Sequence, residues 1–385
     1  MTPTGSQLAQ VALARVLEPG DLPAERAVQA HGPQELWERL VRSAPVPELG
    51  PTAELGARGR AAGYDPLEDW RRMERCGARL VLPCDDGWPS HRLVWDGLRA
   101  APPRALFVRG PGSLVDLERS VAIVGARAAT AYGEQVAGEL ALGVAEAGWS
   151  VISGGAYGID GAAHRGALNG PAGGTVAVLA CGVDVAYPRG HDRLLGRIAE
   201  RGLLISELPP GSAPTRLRFL VRNRLIAALT VGTVVVEAAR RSGSLSTAGW
   251  AADLGRQLMA VPGPVTSEQS VGCHLLLRDC DALCVTTAGD VLDAVGAAGE
   301  HLLSPARAPD HPRDGLPETV RRVLDAVPVR SPAGEASIAR TAGVSALVVQ
   351  QVLPPLLVAG LVERRDGGWR LTALGAGRPV AVPGR

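Results

Sequence analysis

Between residues 120 and 295, short and almost uninterrupted apolar runs alternate with helical segments, and no other feature constrains the fold as strongly. The runs are Val121-Ala122-Ile123-Val124, Ser150-Val151-Ile152, Thr175-Val176-Ala177-Val178-Leu179, Leu203-Leu204-Ile205, Thr233-Val234-Val235-Val236 and Leu258-Met259-Ala260-Val261. A strand that is apolar on both faces has to be covered on both, which is the situation of a parallel sheet between two layers of helices. The expected fold class is α/β, with a doubly wound Rossmann-like parallel sheet. Composition points the same way: the chain is 46% hydrophobic but only 3% aromatic, which suits small helices packed on a sheet better than an aromatic-rich sandwich.

A chain of 385 residues exceeds what one core usually supports, so flanking domains are expected. Residues 1–76 read as a small helical domain, with helices over Gln7–Leu17 and Pro33–Ser43 between Pro and Gly breaks. Residues 77–296 form the extended Rossmann-like domain, entered through strands at Leu80-Val81-Leu82 and Ala105-Leu106-Phe107-Val108. Residues 297–315 lack periodic apolar residues and read as a linker. Residues 316–375 suggest a winged helix-turn-helix: helices over Pro317–Val327, Ser337–Thr341 and Ala346–Ala359, then a two-stranded wing at Leu361–Arg364 and Gly367–Leu371.

The chain has no lysine; all 40 of its cations are Arg, which removes a Walker A lysine, a Schiff-base lysine and pyridoxal-phosphate chemistry. The cysteines at 76, 84, 181, 273, 280 and 284 show no CxxC and read as free buried thiols, so neither metal nor cofactor is expected. The N-terminus lacks a basic segment ahead of an apolar one, and no apolar stretch reaches the ~18 residues of a membrane span, so a cytoplasmic protein is expected.

Ligands of an open parallel sheet bind beyond the carboxyl ends of its strands, near the point where strand order reverses. After the first run stand Gly125-Ala126-Arg127, Thr130 and Tyr132-Gly133. One glycine with a cation is not the GxGxxG fingerprint, which weighs against NAD or FAD; a plain tight turn is the blander reading. After the second run, Gly154, Gly155 and Gly158 in Ser153-Gly154-Gly155-Ala156-Tyr157-Gly158-Ile159-Asp160 let backbone amides approach an anion. Asp160 is expected to cap the next helix, and His164 to cap or pack rather than catalyse. Farther on, Ser242, Gly243 and Ser244 precede a helix and offer a phosphate seat, while Glu237 either orients a neighbouring Arg or caps.

Charge supplies the strongest local signal. From Pro209 to Ala252 there are six arginines (216, 218, 222, 224, 240, 241) and one acid, Glu237, a balance of +5 in a chain whose net charge is +1. A solvated helix with scattered Arg is the bland alternative. Arg222-Asn223-Arg224, however, runs into Leu225-Ile226-Ala227-Ala228-Leu229, so the arginines are expected to open a helix at its positive end. An anion there would relieve the electrostatics, and a phosphodiester suits the planar guanidinium fork.

With these residues the chain resembles the DNA-processing protein A (DprA/Smf) family. The resemblance rests on Val124-Gly125-Ala126-Arg127, the Ser153–Asp160 segment, Gly182-Val183-Asp184 with Tyr187-Pro188, Ser206-Glu207, Phe219 with Arg222-Asn223-Arg224, Glu237 with Ser242-Gly243-Ser244, and Val261-Pro262-Gly263, in the family's order over about 180 residues. It implies a protein without established catalysis that binds single-stranded DNA, dimerises through the Rossmann-like domain, and loads RecA recombinase onto DNA coated by single-strand-binding protein, in DNA uptake and transformation. The DNA-binding set it implies is Gly125, Arg127, Ser153, Gly154, Gly155, Tyr157, Gly158, Arg216, Arg218, Phe219, Arg222, Asn223, Arg224, Ser242, Gly243 and Ser244, with Arg222 or Arg224 alternatively holding the pocket in shape.

Two departures stand out. His191 occurs where the family often carries Asn, and the Ser345–Ala359 segment contains no Arg and is interrupted by Pro354-Pro355, which favours a protein-contacting or regulatory winged helix over a duplex reader. The main alternative is a nucleoside-monophosphate phosphoribohydrolase on the same fold, for which Glu237 is the sole good acid candidate. A structural adaptor working through protein contacts alone is the third reading.

Overall fold

The computed structural model describes residues 2–89, 95–170, 174–297, 300, 313 and 315–376. The chain divides into two compact units, Met1–Leu303 and Ser304–Arg385. The expected linker over 297–315 lies almost entirely outside the described residues.

The first unit opens with four helices, α1 (Gly5–Val16), α2 (Leu22–Val41), α3 (Pro51–Ala61) and α4 (Pro66–Arg75). Thr4 and Gln7 form a reciprocal cap that starts α1. α2 is kinked at Gly32, whose φ of 73° and the following Pro33 break the helical ladder; the helix read over 33–43 is its second half.

The sheet has nine strands in the order β1-β2-β6-β5-β4-β3-β7-β8-β9. They are β1 (Ala78–Val81), β2 (Leu106–Arg109), β3 (Ser120–Val124), β4 (Ser150–Ser153), β5 (Thr175–Val178), β6 (Leu203–Ser206), β7 (Gly232–Val235), β8 (Gln257–Ala260) and β9 (Leu283–Cys284). β1–β2 and β2–β6 pair antiparallel; every other pair is parallel. The doubly wound α/β expectation therefore holds, with an antiparallel extension at one edge. From β3 the chain steps outward through β4, β5 and β6, then returns to the other side of β3 with β7, so strand order reverses between β3 and β7. β9 escapes sequence reading because two residues give no periodicity.

Strand alternation sends β3 side chains to opposite faces. Val121 and Ile123 pack with Ala137, Leu140 and Val144 of α5 (Ala131–Glu146) and with Ile159 and Ala163 of α6 (Ile159–Ala167). Ala122 and Val124 pack with Leu225, Ile226 and Leu229 in and after α8 (Arg216–Ala228), Ala248 of α9 (Ser244–Asp253) and Leu276 of α10 (Val271–Asp279). A third cluster joins Val11 of α1 and Trp70 and Met73 of α4 to Phe107, Ala177 and Leu204 of the sheet and to Leu195 and Ile198 of α7 (Asp192–Arg201). The helical segment 1–76 thus has some core of its own, yet it shares buried apolar surface with the sheet and forms one compact unit with it. α11 (Ala288–Val295) closes the series, its Val291 buried against the α5 face.

The second unit contains α12 (Glu318–Asp325), α13 (Glu335–Ala342), α14 (Ala346–Val358) and a hairpin of β10 (Val362–Arg365) and β11 (Gly368–Leu371). Asp366 and Gly367 join the strands with φ of 47° and 75°, the geometry of a tight two-residue hairpin turn. Contrary to expectation, Pro354-Pro355 does not interrupt α14. Both prolines are exposed, so carbonyls left without a helical donor can meet water, while Val349, Leu353 and Leu356 anchor the opposite stripe.

The thiols also differ from expectation. Cys181 and Cys273 are buried, and burial pushes them up to about 11 and about 12, but Cys84, Cys280 and Cys284 are exposed. Cys280 and Cys284 lie at the exit of α10 and on the edge strand, where no further strand covers them. Among the described residues, no single helix is long and apolar enough to cross a membrane.

Candidate nucleic-acid interface

A cavity of about 640 Å³ opens where strand order reverses, beyond the carboxyl ends of β3, β4 and β7. Gly125, Ala126 and Arg127 reach it from just beyond β3, Ala156 from the loop after β4 and Asp160 from the first turn of α6, and Arg240, Arg241, Ser242 and Gly243 from the loop after β7 with Ser244 at the start of α9. Phe219, Arg222 and Asn223 of α8 form its remaining side.

The loops are stitched together by backbone contacts. The Ala126 amide donates to the Glu237 carbonyl at 2.6 Å, and the Ile159 amide donates to the Ala126 carbonyl at 3.2 Å. A Cβ on Gly158, whose φ is 71°, would run into the carbonyls of Ala126 and Arg127, so this glycine serves close approach of two loops. Gly125 is similarly confined by Ile159 and by the Glu237 carbonyl. Ser153 donates its hydroxyl to the Ile123 carbonyl at 2.7 Å and is fully buried, so it belongs to the sheet and not to a ligand surface, contrary to expectation.

Of the six clustered arginines, three have internal work. Arg222 is buried and donates to the Gly154 carbonyl at 2.8 Å and to that of Val178. Its burial pushes its pKa down to about 10 despite the nearby Asp160 carboxylate. Gly154 has no room for a Cβ because the Arg222 guanidinium occupies that space. Arg224 is fully buried and makes a bidentate pair with Glu207 at 2.7 and 2.6 Å. Arg218 is held by both Glu18 oxygens at 3.1 Å and also donates to the Ala213 carbonyl at 3.0 Å. It does not line the cavity. The expected phosphate contact from Arg218 is therefore corrected, since the sequence could not reveal a partner as distant as Glu18, whereas the internal bonds of Arg222 and Arg224 fit the alternative in which they hold the pocket in shape.

Arg222 and Arg224 also do not open a helix. α8 begins at Arg216, capped by Thr215, whose side chain accepts from the Arg218 amide. The arginines at the positive end are Arg216 and Arg218; Arg216 is exposed and outside the cavity lining. The exposed cations at the cavity are Arg127, Arg240 and Arg241, none with a carboxylate at ion-pair distance among the described residues. Arg127 lies over the Phe219 ring, 4.9 Å from its centroid. Arg240 and Arg241 entered the sequence reading only through the charge count. Their place on the loop between β7 and α9, on the same carboxyl edge of the sheet as Arg127, was the signal that would have singled them out.

Ser242, Gly243 and Ser244 sit together at the start of α9. Gly243 caps α9, the hydroxyls of Ser242 and Ser244 lie 2.8 Å apart, and Asn223 donates its amide to the Gly243 carbonyl at 3.2 Å. Ser242, Gly243 and Ser244 line the cavity at the positive end of α9, with Arg241 in the same lining. Exposed Glu268 and buried Asp160 are the acids of the lining. Asp160 does not cap α6, whose cap is Gly158; it accepts from the Ala156 amide at 3.3 Å and braces the glycine loop. Burial raises its pKa, with Arg222 opposing.

The remaining polar residues are structural. Glu237 is buried and accepts from the Thr130 amide at 2.9 Å and the Thr130 hydroxyl at 2.6 Å, fixing the start of α5. His164 is fully buried with Nδ1 2.7 Å from Thr175 Oγ1, a packing role. His191 pairs through Nδ1 with the Gly155 carbonyl at 3.0 Å and lies edge-on to the exposed Tyr157, 4.8 Å between centroids.

This chain is similar to known proteins over most of its length. A family model described as DNA recombination-mediator protein A matches residues 79–296. A Mycobacterium tuberculosis protein, provisionally named DNA processing protein DprA, is 47% identical over 96% of this chain and 95% of its own length. The crystal structure of DNA processing protein A from Streptococcus pneumoniae superposes with a TM-score of 0.61 at 30% identity, covering 77% of this chain and all of that one. A Helicobacter pylori DNA processing protein A structure, described for its single-stranded DNA binding mode, gives 0.50 at 30% identity over 56% of this chain and 94% of that chain. On a family match that spans more than half its length and a relative nearly half identical end to end, the chain belongs to the DNA recombination-mediator protein A family.

Proposed function

We propose that the protein binds single-stranded DNA in the cavity between β3 and β7 and acts as a recombination mediator. The observation that carries this reading is the convergence of Arg127, Arg240 and Arg241, from two loops, on one cavity lined also by the start of α9. Guanidinium groups without internal carboxylates, lining one cavity with a helix N-terminus, suit a phosphodiester backbone. The Helicobacter pylori relative, described as binding single-stranded DNA, supports the choice of ligand.

A binder fits these residues better than a hydrolase. Glu237, the carboxylate a phosphoribohydrolase would need, has both oxygens engaged by Thr130 and lies outside the cavity lining. Loading of RecA recombinase, contact with single-strand-binding protein, a homodimer through the sheet-bearing unit, a role in DNA uptake and a cytoplasmic location belong to the same reading. They rest on the motif series and on the family's description as recombination mediators. The helix trio and hairpin of the second unit suit a winged helix, with an arginine-free α14 that favours protein contact over base reading. Salt-dependent titration of single- and double-stranded oligonucleotides tests the ligand. Preference for the single strand, with affinity falling steeply with salt, is the expected result; equal binding or none would refute it.

A further inference from the structure

The cavity is not the end of the aromatic surface. Phe219, with the Arg127 guanidinium on its ring, has the Tyr187 ring 5.4 Å from its centroid at an interplanar angle of 48°. Tyr187 belongs to the loop after β5 and is 42% exposed, far more than its packing against Phe219 would require. On the same loop His191 carries the Tyr157 ring, and Gly190 lies so close to Tyr157 that a Cβ there would press on its hydroxyl. Tyr157 is 49% exposed. In a chain with six Phe and Tyr altogether, three therefore gather where the loops after β4 and β5 meet the start of α8.

We propose that Tyr187 is a base-stacking residue that carries the DNA site out of the cavity and onto the loop after β5, so that the bound strand crosses the carboxyl edge of the sheet from β7 towards β5. The inference rests on the single-stranded DNA reading of the cavity and adds the path of the strand. Phosphates engage Arg240, Arg241 and the start of α9; Phe219, already covered by Arg127 and Arg222, backs Tyr187, on which a base lies, with Tyr157 beyond. Strands β7 and β5 are separated by β3 and β4, so the path covers three interstrand spacings, about 14 Å. That length takes up to about four nucleotides at a stacked rise of about 3.4 Å. An exposed ring already tilted against another ring has little freedom left to lose when a base settles on it, and stacking on a π-face needs no particular base. Preference among sequences is accordingly expected to be slight.

The test is a length series of thymidine oligonucleotides, from two to twelve residues, titrated against the full chain and against Y187A, Y187F and R241A. A second series replaces successive thymines by 2-aminopurine, whose fluorescence is quenched on stacking. Y187A is expected to weaken binding of oligonucleotides of six or more residues at least about fivefold, and to leave the dinucleotide unchanged. It is expected to abolish quenching at one register, and Y187F to restore both. R241A weakens every length. Wild-type affinity and quenching in Y187A, with R241A impaired, would overturn the stacking inference and leave the cavity reading standing. R241A binding every length as tightly as wild type would instead remove the cavity reading itself. Tyr187 is exposed, so unchanged thermal unfolding of Y187A is expected and serves as the folding control.

Discussion

Arg224 and Glu207 form a two-point ion pair, 2.7 and 2.6 Å between the paired atoms, with the arginine fully buried and the carboxylate nearly so. Arg104 lies half-buried near this carboxylate, and desolvation holds its pKa below the ordinary arginine value. A cluster of this kind ties α8 to the end of β6 and thereby fixes the side of the cavity that α8 supplies.

Arg224→Met should therefore cost about 3–5 kcal/mol of stability by leaving a buried carboxylate without its partner, towards the low end because Arg104 remains. The double substitution Arg224→Met with Glu207→Leu should recover much of the loss. Urea denaturation of the three proteins measures both effects. Equal stability of wild type and the single variant would show that the pair does not brace α8.

The pH dependence of stability should carry a His164 signature. Burial pushes this histidine down to about 3 from 6.5, so between those values the unfolded chain takes up a proton that the folded one refuses. The contribution is fully present above pH 6.5, declines by up to about 1.4 kcal/mol per pH unit on acidification, and levels off below about 3. Asp160 acts with the opposite sign, since burial raises its pKa and the folded state gains relative stability as pH falls. Comparing His164→Gln with wild type isolates the histidine: the variant should show a flatter profile between pH 4 and 6.5, and an identical slope would disprove the assignment.

Gly154→Ala should destabilise the first unit by about 1–3 kcal/mol, because its new methyl would overlap the Arg222 guanidinium that donates to the Gly154 carbonyl. Thermal unfolding measures the loss. Alanine at Gly243, where no atom lies within 4 Å of a Cβ, should be far milder and provides the control.

Much of the architecture was legible because its signal is local. Residues such as Val121–Val124 and Thr233–Val235 are buried on both faces, and that demand is written as an apolar run whatever the rest of the chain does. The start of α8 was also available: Thr215 follows Pro214 and precedes Arg216, an ordinary capping pattern overshadowed by the more conspicuous Arg222-Asn223-Arg224. The division of labour among the arginines was not legible. Whether Arg218 meets a phosphate or Glu18 depends on how α1 and the following loop pack against the sheet, and no spacing along the chain encodes a contact across 200 residues. Of the glycines expected at the site, Gly125 and Gly243 line the cavity; Gly154 and Gly158 do not, and at these two the glycine serves close approach of Arg222 and of a neighbouring loop rather than access for an anion.

The most direct measurement is fluorescence anisotropy of a labelled thymidine oligonucleotide, titrated at several salt concentrations against wild type, the Arg127→Ala, Arg240→Ala, Arg241→Ala triple variant, and Arg218→Ala. The triple variant should bind weakly, with a logarithmic salt slope shallower by about 0.7 for each phosphate it no longer neutralises, while its thermal unfolding is unchanged. Arg218→Ala, which removes a cation already held by Glu18, should keep the wild-type slope. A triple variant that retains wild-type affinity and slope would mean that the DNA does not enter between β3 and β7.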